Sequence, residues 1–351
     1  MRVLYQIPSL ESIYAIRTIY HGYKNAFENL GHIFQPLVAS NNCKKTLDKF
    51  NPDLLFTSIM PYYLKYLDLK SIKKHKENGM IVFVAMPFWK SLLKKNSIIE
   101  GRGLFYNKNY IKLIISKGFG DIYYNVYEPD DPRMEGFEKI TGYKHYTIPL
   151  AADKVVLKEK FDEKFKADVS FIGTYSPQKR DSFRKYVFPL KKKYNLKIYG
   201  QDWGILDRTL GWIQRGGQYF NIPYLRTFKK PQLKLEDEAK IYKSSIISIN
   251  IHEESQLRFG GDCNERTFKI PFCGGFEIID NVACIKKYFK DGEEVVIAKD
   301  EKDWYEKIKY YIENPEKREK IIKAGRERVL KEHTYHHRVK QIIDIYDKIK
   351  R

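Results

Sequence analysis

The richest concentration of residues that could do chemistry lies between positions 248 and 280, in the stretch SINIHEESQLRFGGDCNERTFKIPFCGGFEIID. Its pattern predicts a strand that ends at His252, a polar loop and a short helix that starts near Asn264. Such a start leaves three backbone amides facing the loop, those of Glu265, Arg266 and Thr267. An anionic group bound there would meet the helix dipole, free N–H donors and a guanidinium together. The alternative is that Arg266 is a surface ion-pair partner and His252 a hydrogen-bonded histidine at the strand end.

A second candidate lies where the apolar run at 168–172 continues into the sequence GTYSPQKR. The glycine at the strand end, Gly173, would let the backbone approach a ligand closely. The polar groups that follow are those of Thr174, Ser176, Lys179 and Arg180. Together with the start of the next helix they could hold a phosphate. The alternative is an ordinary strand–turn–helix connection with a Ser-Pro cap.

Both candidates belong to a regular alternation of short apolar runs and longer amphipathic stretches, which predicts βαβ units with strands covered on both faces. The predicted strands are 2–7, 53–59, 80–85 and 121–126 in a first series and 168–172, 196–199, 245–251, 275–279 and 294–297 in a second. We therefore predict two α/β domains, residues 1–150 and 167–333, joined by a connection at 151–166 and followed by a helix at 334–351. Open α/β sheets bind ligands at the carboxyl ends of their strands, where both candidates lie.

The composition excludes several classes of protein. The chain has 351 residues, of which 43% are hydrophobic, so it can bury enough surface to fold and is not disordered. No apolar run approaches the ~20 residues of a membrane-spanning helix, and we expect neither a signal peptide nor a location outside the cytoplasm. The absence of GxGxxG after the first strand argues against a dehydrogenase. The cysteines, at positions 43, 263, 273 and 284, lack the spacing of a zinc site, and we expect no metal.

The chain is strongly basic, with 64 Lys and Arg against 44 Asp and Glu and a formal net charge of +20. This implies an anionic partner, or else reflects a lysine-rich proteome, because the charge is spread along the whole chain. The stretch 88–117 combines aromatic and apolar side chains with lysines, namely Trp89, Leu92, Leu93, Phe105 and Tyr106 with Lys94, Lys95 and Lys112. It could contact an anionic membrane at its inner face or bind nucleic acid. Alternatively its apolar residues are core and its lysines a solvated face.

From about residue 241 to 343 the sequence resembles the C-terminal half of GT-B glycosyltransferases, specifically the group that contains the spore-maturation protein CgeB. The pieces that carry the resemblance are NERTF at 264–268, CGGF at 273–276, YFKDGEE at 288–294, residues 308–314, AGRER at 324–328 and EHTY at 332–335. Residues 168–180 also look like the opening strand and loop of that family's second domain. The first 150 residues match only in layout.

The resemblance implies a GT-B fold, in which two Rossmann-like domains face each other across a cleft and the C-terminal helices return to the first domain. It also implies a metal-independent enzyme whose donor, expected to be a UDP-sugar, is held mainly by the second domain. Carried over by position, the resemblance makes Gly173, Thr174, Arg180, Arg266 and Thr267 candidates for binding the donor diphosphate. The donor site that we expect comprises these residues with Tyr175, Gly200, His252, Asn264, Glu265, Lys269 and Gly274. Within it, Gly200 would form part of the nucleobase wall.

Lys269 departs from the family pattern, which commonly has at this position a Glu that holds the donor ribose. Glu265 lies one helical turn earlier and could substitute for it. A four-residue shift moves a carboxylate by ~6 Å along the helix axis, which leaves ribose recognition open.

Catalysis would need stabilisation of the leaving diphosphate, for which Arg180 and Arg266 are candidates. An inverting enzyme also needs a general base near the acceptor hydroxyl. Glu11, in the loop after the first strand, is the leading candidate and His21, in the first helix, is the second. Whether the anomeric centre inverts or is retained cannot be derived from these residues.

Three functions follow from these observations. The first is a glycosyltransferase that acts on a surface glycan, a lipid-linked glycan or a protein. The second is a glycosyltransferase that modifies nucleic acid. The third is a basic nucleic-acid-binding protein that keeps the fold without catalysis, which Lys269 would favour. The donor-loop residues Arg180, Asn264 and Arg266 favour the first two.

Overall fold

A computed structural model describes residues 1–13, 15–87, 89, 108–115 and 118–351. Within this part of the chain, the first sheet has six parallel strands in the order β2-β1-β3-β4-β5-β6. The strands are β1 (Arg2–Gln6), β2 (Ile33–Leu37), β3 (Leu54–Ser58), β4 (Ile81–Ala85), β5 (Ile122–Asn125) and β6 (His145–Thr147). The helices are α1 (Ala15–Asn29), α2 (Cys43–Phe50), α3 (Pro61–Leu64), α4 (Leu69–Glu77), α5 (Lys108–Ile115) and α6 (Phe137–Thr141).

Residues 118–351, all of them described, contain a second parallel sheet of five strands in the order β11-β10-β9-β7-β8. Its strands are β7 (Ala167–Ile172), β8 (Leu196–Tyr199), β9 (Ser245–Asn250), β10 (Glu277–Asp280) and β11 (Val296–Ala298). The helices are α7 (Arg180–Ser182), α8 (Ile205–Phe220), α9 (Pro223–Arg226), α10 (Leu235–Ser244), α11 (Glu254–Phe259), α12 (Arg266–Phe272), α13 (Ile285–Tyr288), α14 (Glu301–Glu313), α15 (Pro315–Glu332) and α16 (Tyr335–Lys350).

Each sheet is covered by helices on both faces, and each has two cores, one per face. The central strands are buried throughout, as β3 shows, and every strand predicted from an apolar run is present within two residues of its predicted bounds. Two strands escape such a prediction. β2 and β6 lie at the edges of the first sheet and carry polar residues or a proline, so their sequences IFQPL and HYT do not form apolar runs.

The chain passes from one domain to the other between Ala151 and Ala152. Ile148 and Ala151 pack in a core of the first sheet, whereas Ala152 and Leu157 pack in a core of the second. The backbone of Ala152 is also tied to the end of the chain, because its carbonyl accepts a hydrogen bond from the amide of Tyr335 at 3.0 Å. The outgoing and returning segments therefore cross side by side.

The last helix completes the core of the first domain, which confirms the predicted return of the C-terminal helices. Val339, Ile342 and Ile345 of α16 are buried in the same core as Val3 and Phe27. α16 packs directly against α1, where a Cβ added to Gly22 would lie 2.3 Å from the Tyr335 ring.

The helices α8 and α9, which follow β8, form a second bridge between the domains. Tyr62 of α3 donates a hydrogen bond to the carbonyl of Gln218 in α8 at 2.8 Å, and its ring stacks on that of Tyr219. The carbonyl of Glu11 accepts a hydrogen bond from Gln214 Nε2 at 3.0 Å. The insertion α8–α9 therefore holds the first domain at the mouth of the cleft between the sheets.

Candidate functional site

A cavity of about 200 Å³ lies between the two domains at the carboxyl ends of β7 and β8. The first domain contributes the start of α1 through Ala15, Arg17 and Thr18. The second domain contributes most of the lining: Gly173, Thr174, Gly200, Gln201, Glu238, Tyr242, Asn264, Glu265, Arg266 and Lys269. A cavity in this position agrees with the general placement of ligand sites in parallel α/β sheets.

The structure brings together seven of the residues predicted for the donor site, and these are Gly173, Thr174, Gly200, Asn264, Glu265, Arg266 and Lys269. Five others lie away from this cavity. Tyr175 lines a neighbouring cavity, and Arg180, His252, Thr267 and Gly274 belong to neither wall. Their roles in donor binding therefore stay predictions.

The floor of the cavity is bare backbone at Gly173 and Gly200. Gly200 has φ of +122°, and a Cβ there would lie 2.3 Å from the carbonyl oxygen of Gly173. That same oxygen accepts a hydrogen bond from Trp203 Nε1 at 2.9 Å. A Cβ on Gly173 would in turn lie 2.9 Å from the Phe171 ring and 3.0 Å from Arg266 Nη1. Both positions require glycine, and the absence of side chains leaves room for a ligand against the backbone.

The Arg266 guanidinium is fixed by hydrogen bonds through two of its nitrogens, and the third makes none within the described part of the chain. Its Nε donates to Asn250 Oδ1 at 3.0 Å and its Nη2 donates to the Ile251 carbonyl at 2.9 Å. The guanidinium carbon lies 5.3 Å from the centre of the Phe171 ring. Its Nη1, next to Gly173, has no hydrogen-bond partner among the described residues. Arg266 is therefore a fixed cation at the cavity floor, and it is not a surface ion-pair partner.

The predicted start of the helix needs a correction. α12 begins at Arg266, two residues later than expected, and the Asn264 side chain accepts a hydrogen bond from the Arg266 amide at 2.9 Å. That amide is consequently not free for an anion. Thr267 is fully buried with its hydroxyl near Asn250, so it does not face the loop either. Of the three predicted amides, that of Arg266 is therefore engaged, whereas the Arg266 side chain keeps an Nη1 donor for an anion.

His252 occupies the strand end as a buried structural residue, the alternative considered for it above. Its Nδ1 lies 2.5 Å from Asp280 Oδ1, its amide donates to the other oxygen of Asp280 at 2.7 Å, and its side chain has no exposed surface. Gly274 lies at the far end of α12, where a Cβ would meet Glu159 at 2.8 Å. Neither residue reaches the cavity.

Lys269 is part of a buried ionic network and does not face solvent. Its Nζ lies 3.2 Å from Glu238 Oε2 and 3.1 Å from Glu265 Oε2. Burial by itself lowers the pKa of Lys269, but the two carboxylates outweigh it and raise the pKa above its usual value. Glu265 is fully engaged, because Tyr335 donates to Oε1 at 2.5 Å and Thr18 donates to Oε2. Glu265 is therefore a tie between the domains and is not a free substitute for a ribose carboxylate.

Two acidic residues and an amide that shape the site have no counterpart in the sequence prediction. Glu238, from α10, lines the cavity, and Asn250 at the end of β9 positions both Arg266 and Asn264. Asn250 Nδ2 also donates to Glu277 Oε1 at 2.8 Å. An amide side chain at the carboxyl end of the buried strand SIISIN is the signal that could have revealed Asn250.

Glu277 gives a measurable pH dependence. Burial raises its pKa to about 8 from an ordinary value of 4.5. Between these values the folded state binds the proton more tightly than the unfolded state, so the unfolding free energy falls as pH rises. Relative to Glu277→Gln, the wild-type protein is expected to lose up to ~1.4 kcal/mol per pH unit over this range. Denaturant unfolding of both proteins at pH 5, 6 and 7 would measure it.

The difference between the two proteins isolates this contribution. Three histidines, whose pKa values burial lowers to about 4, act in the opposite direction and equally in both proteins, and these are His145, His333 and His336. A constant stability difference between pH 5 and 7 would mean that Glu277 titrates normally.

A second cavity of about 710 Å³ adjoins the first and shares Gly200 and Leu233 with it. Its wall is aromatic, with the Tyr175 ring 5.4 Å from that of Trp203, and the Arg208 guanidinium lies 5.1 Å from the centre of the Tyr175 ring. Arg180 belongs to neither wall, whereas its neighbour Lys179 is buried. Burial and the charge of Arg266 lower the pKa of Lys179 to about 7.

The two candidate bases of the first domain lie outside the lining of the 200 Å³ cavity. Glu11 is exposed, and the hydrogen bond from the Ser9 hydroxyl lowers its pKa. His21 is half-buried on α1, where burial, Arg17 and Lys24 lower its pKa. The structure leaves Glu11 accessible at the cleft mouth and His21 packed beside Tyr20.

Most of the basic stretch at 88–117 lies outside the described residues, including Leu92, Leu93, Lys94, Lys95, Phe105 and Tyr106. Trp89 is described and is fully buried, 5.3 Å from the Phe137 ring, so it is a core residue and not part of a binding surface. Lys112 is exposed on α5. Among the described residues no helix is long and apolar enough to cross a membrane.

Comparisons with known proteins agree with this architecture. Residues 180–344 match a family model described as glycosyl transferase-like. No curated protein sequence matches the chain.

Solved structures match over nearly the whole length. An alpha-glucosyltransferase in complex with UDP and a 13-mer DNA containing a HMU base covers 99% of both chains at 13% identity and a TM-score of 0.63. Sucrose-phosphate synthase from Thermosynechococcus elongatus covers 99% of this chain and 98% of its own at 10% identity and a TM-score of 0.64. Anabaena Alr3699/HepE in complex with UDP and glucose covers 99% and 100% at 9% identity and a TM-score of 0.60. The chain therefore has the GT-B fold of glycosyltransferases, with a glycosyl transferase-like segment at 180–344.

Proposed function

We propose that the protein transfers a sugar from a nucleoside-diphosphate sugar to a hydroxyl acceptor on a glycan, a lipid-linked glycan or a protein. The observation that carries the proposal is the unused Nη1 edge of Arg266 over a glycine floor, inside a cleft between two α/β domains. The glycosyl transferase-like match at 180–344 supports it, as do structural neighbours with bound UDP. We also propose that the chain belongs to the CgeB-like group, on the basis of the sequence pieces between residues 264 and 335.

The donor is placed along the two adjoining cavities. The diphosphate lies against Gly173, Thr174 and the Nη1 edge of Arg266, where a charge-assisted hydrogen bond can form. The nucleobase, uracil in our expectation, points past Gly200 towards the aromatic wall that includes Tyr175. Since Lys269 replaces the expected carboxylate, Glu238 is the cavity-lining acid that we assign to the ribose hydroxyls.

In the proposed reaction, preorganised positive charge of the protein stabilises the leaving diphosphate without a metal ion. Arg266 is fixed by Asn250 and Ile251, so it does not reorganise as negative charge develops.

Arg266→Ala is expected to weaken nucleotide binding by ~10–100-fold, the worth of a hydrogen bond to a charged group. Because the guanidinium also holds Asn250 and the Ile251 carbonyl, some loss of stability should accompany it. Arg266→Lys should recover little affinity, since the planar fork is lost. Isothermal titration with UDP, GDP, dTDP and CMP would measure these affinities and identify the nucleotide.

Arg258→Ala is the matched control, because Arg258 is exposed on α11 and lies outside both cavity walls. Wild-type affinity in Arg266→Ala would contradict the assignment of the diphosphate. No binding of any nucleotide by the wild-type protein, together with no sugar transfer, would contradict the proposed function itself.

A nucleic-acid acceptor is the second candidate. It is favoured by the net charge of +20 and by the structural similarity to a glucosyltransferase that was crystallised with DNA. DNA binding that weakens steeply with salt, and transfer of labelled sugar to DNA, would distinguish it from the first candidate.

A further inference from the structure

The inserted helix α8 exposes its largest apolar side chains to solvent. Ile205 is 80% exposed, Leu206 74%, Trp212 63% and Phe220 64%, and Tyr219 beside them is also exposed. At about 100° per residue these positions, with Thr209, Ile213 and Gly216, occupy one continuous arc of ~140° on the helix. This arc, which we call the outer face of α8, contains no charged residue.

The opposite side of α8 is polar or small and is buried. Its buried residues are Gly211, Gln214, Gly217 and Gln218. A helix at the surface of a water-soluble protein normally has the reverse arrangement, with apolar residues inside and polar residues outside. The arrangement in α8 indicates that its outer face meets an apolar medium when the protein works.

The orientation of α8 is fixed by contacts that a rotated helix would lose. The Gln218 carbonyl accepts from the Tyr62 hydroxyl at 2.8 Å, and Gln214 Nε2 donates to the Glu11 carbonyl at 3.0 Å. A Cβ on Gly217 would lie 2.6 Å from Leu225, so α9 packs against the bare backbone of α8. The apolar side chains point outwards because the polar side is the one that fits the protein.

The charge around this face indicates which apolar medium it meets. Four basic residues of the segment 205–234 reach solvent, and these are Arg208, Arg215, Lys230 and Lys234. Arg226 and Lys229 are buried, and Lys229 pairs with Asp202 and Asp207, the second of which is the only acidic residue of the segment. Arg208 and Arg215 flank one border of the outer face, and Lys230 and Lys234 are exposed beyond α9. Trp and Tyr are the side chains favoured at a membrane–water interface, and basic residues are attracted to anionic lipid.

We propose that the outer face of α8, continued by Tyr224 and Phe228 of the following segment, docks on the surface of an anionic phospholipid bilayer. The helix would lie in the plane of the interface with its apolar face among the upper acyl chains. Since α8 touches Glu11 at the cleft mouth, docking would bring the cleft to the lipid surface. On the proposed function, this favours an acceptor hydroxyl carried by a lipid.

Vesicle sedimentation tests the proposal with the full chain. We expect binding to vesicles of phosphatidylcholine with phosphatidylglycerol, weaker binding to phosphatidylcholine alone, and weakening with salt. Trp212→Ser and Phe220→Ser should each lower the affinity by about tenfold, the worth of burying one large apolar side chain. The matched controls are Phe161→Ser and Tyr310→Ser, which remove exposed aromatic rings elsewhere and should not change binding.

Tryptophan fluorescence gives a second readout. Of the four tryptophans only Trp212 is largely exposed, whereas Trp89 and Trp304 are fully buried and Trp203 is half-buried. Anionic vesicles should therefore shift the emission to shorter wavelength in the wild-type protein and not in Trp212→Ser. Nucleotide affinity should be the same in both, so a failure of docking is distinguishable from a failure of the proposed function.

Three results would overturn the proposal. One is equal vesicle binding by the wild type and the α8 variants, and another is equal binding to neutral and anionic vesicles. The third is a dimer that Trp212→Ser converts to a monomer without any vesicle binding, which would assign the outer face of α8 to a second copy of the chain.

Discussion

Glu11→Gln is expected to lower the rate of sugar transfer by ~10²–10⁴-fold, the usual contribution of a general base. Glu11 lies at the mouth of the cleft, held by its backbone contact to Gln214, and is exposed to an incoming acceptor. The Ser9 hydroxyl lowers its pKa below 4.5, so the side chain is an ionised proton acceptor throughout the neutral range. Loss of rate through its protonation should appear only below about pH 4.5.

Nucleotide affinity should not change in Glu11→Gln, because Glu11 does not line the donor cavity. A coupled assay for released nucleotide, with calorimetry in parallel, would separate these two effects. His21→Gln serves as the comparison, since His21 is the second candidate and is packed beside Tyr20. A loss of less than tenfold in Glu11→Gln would remove Glu11 as the base, and it is the result that a retaining reaction would give.

Lys269→Glu is expected to destabilise the folded protein by ~3–5 kcal/mol or more, the cost of breaking a buried ion pair. The substitution would place a third carboxylate beside Glu238 and Glu265 where a cation now compensates them. The family resemblance implies that a Glu at this position would hold the donor ribose. The structure instead predicts that it disrupts the tie between α12, α10 and the C-terminal helix. Denaturant unfolding would measure the change.

Lys269→Gln with Glu238→Gln provides the control, because the two changes together remove one charge of each sign. The double variant should be more stable than Lys269→Glu and more stable than Lys269→Gln alone, with a coupling energy that a double-mutant cycle reports. If Lys269→Glu unfolds at the same denaturant concentration as the wild type, the network contributes nothing to folding.

The fold could be predicted wherever the local sequence alone shows that a segment is buried. Strands such as β3 are covered on both faces, so their apolar runs are visible without any knowledge of the neighbours. The edge strands β2 and β6 carry Pro36 and His145, and only their pairing with β1 and β5 defines them as strands. These two strands are therefore defined by long-range pairing and not by a local apolar pattern.

The site shows the same division. Gly173, Gly200 and Arg266 could be singled out because each follows a predicted strand or begins a helix in a recognisable order. Glu238 could not be singled out. It reaches the cavity from α10, and its ion pair with Lys269 joins two helices that are distant in sequence. Glu265 could also be singled out, for its carboxylate. Its partners could not, because Thr18 and Tyr335 are 247 and 70 residues away along the chain.

The return of α16 has a consequence for the newly made chain. The core of the first domain includes Val339, Ile342 and Ile345, which are translated after every strand of the second sheet. At roughly 5–20 residues per second, the ~190 residues between the end of β6 and the start of α16 take roughly 10–40 s to synthesise. During that time one face of the first sheet is covered by α1 without α16. The second domain can therefore fold to completion before the first, although its sequence is translated later.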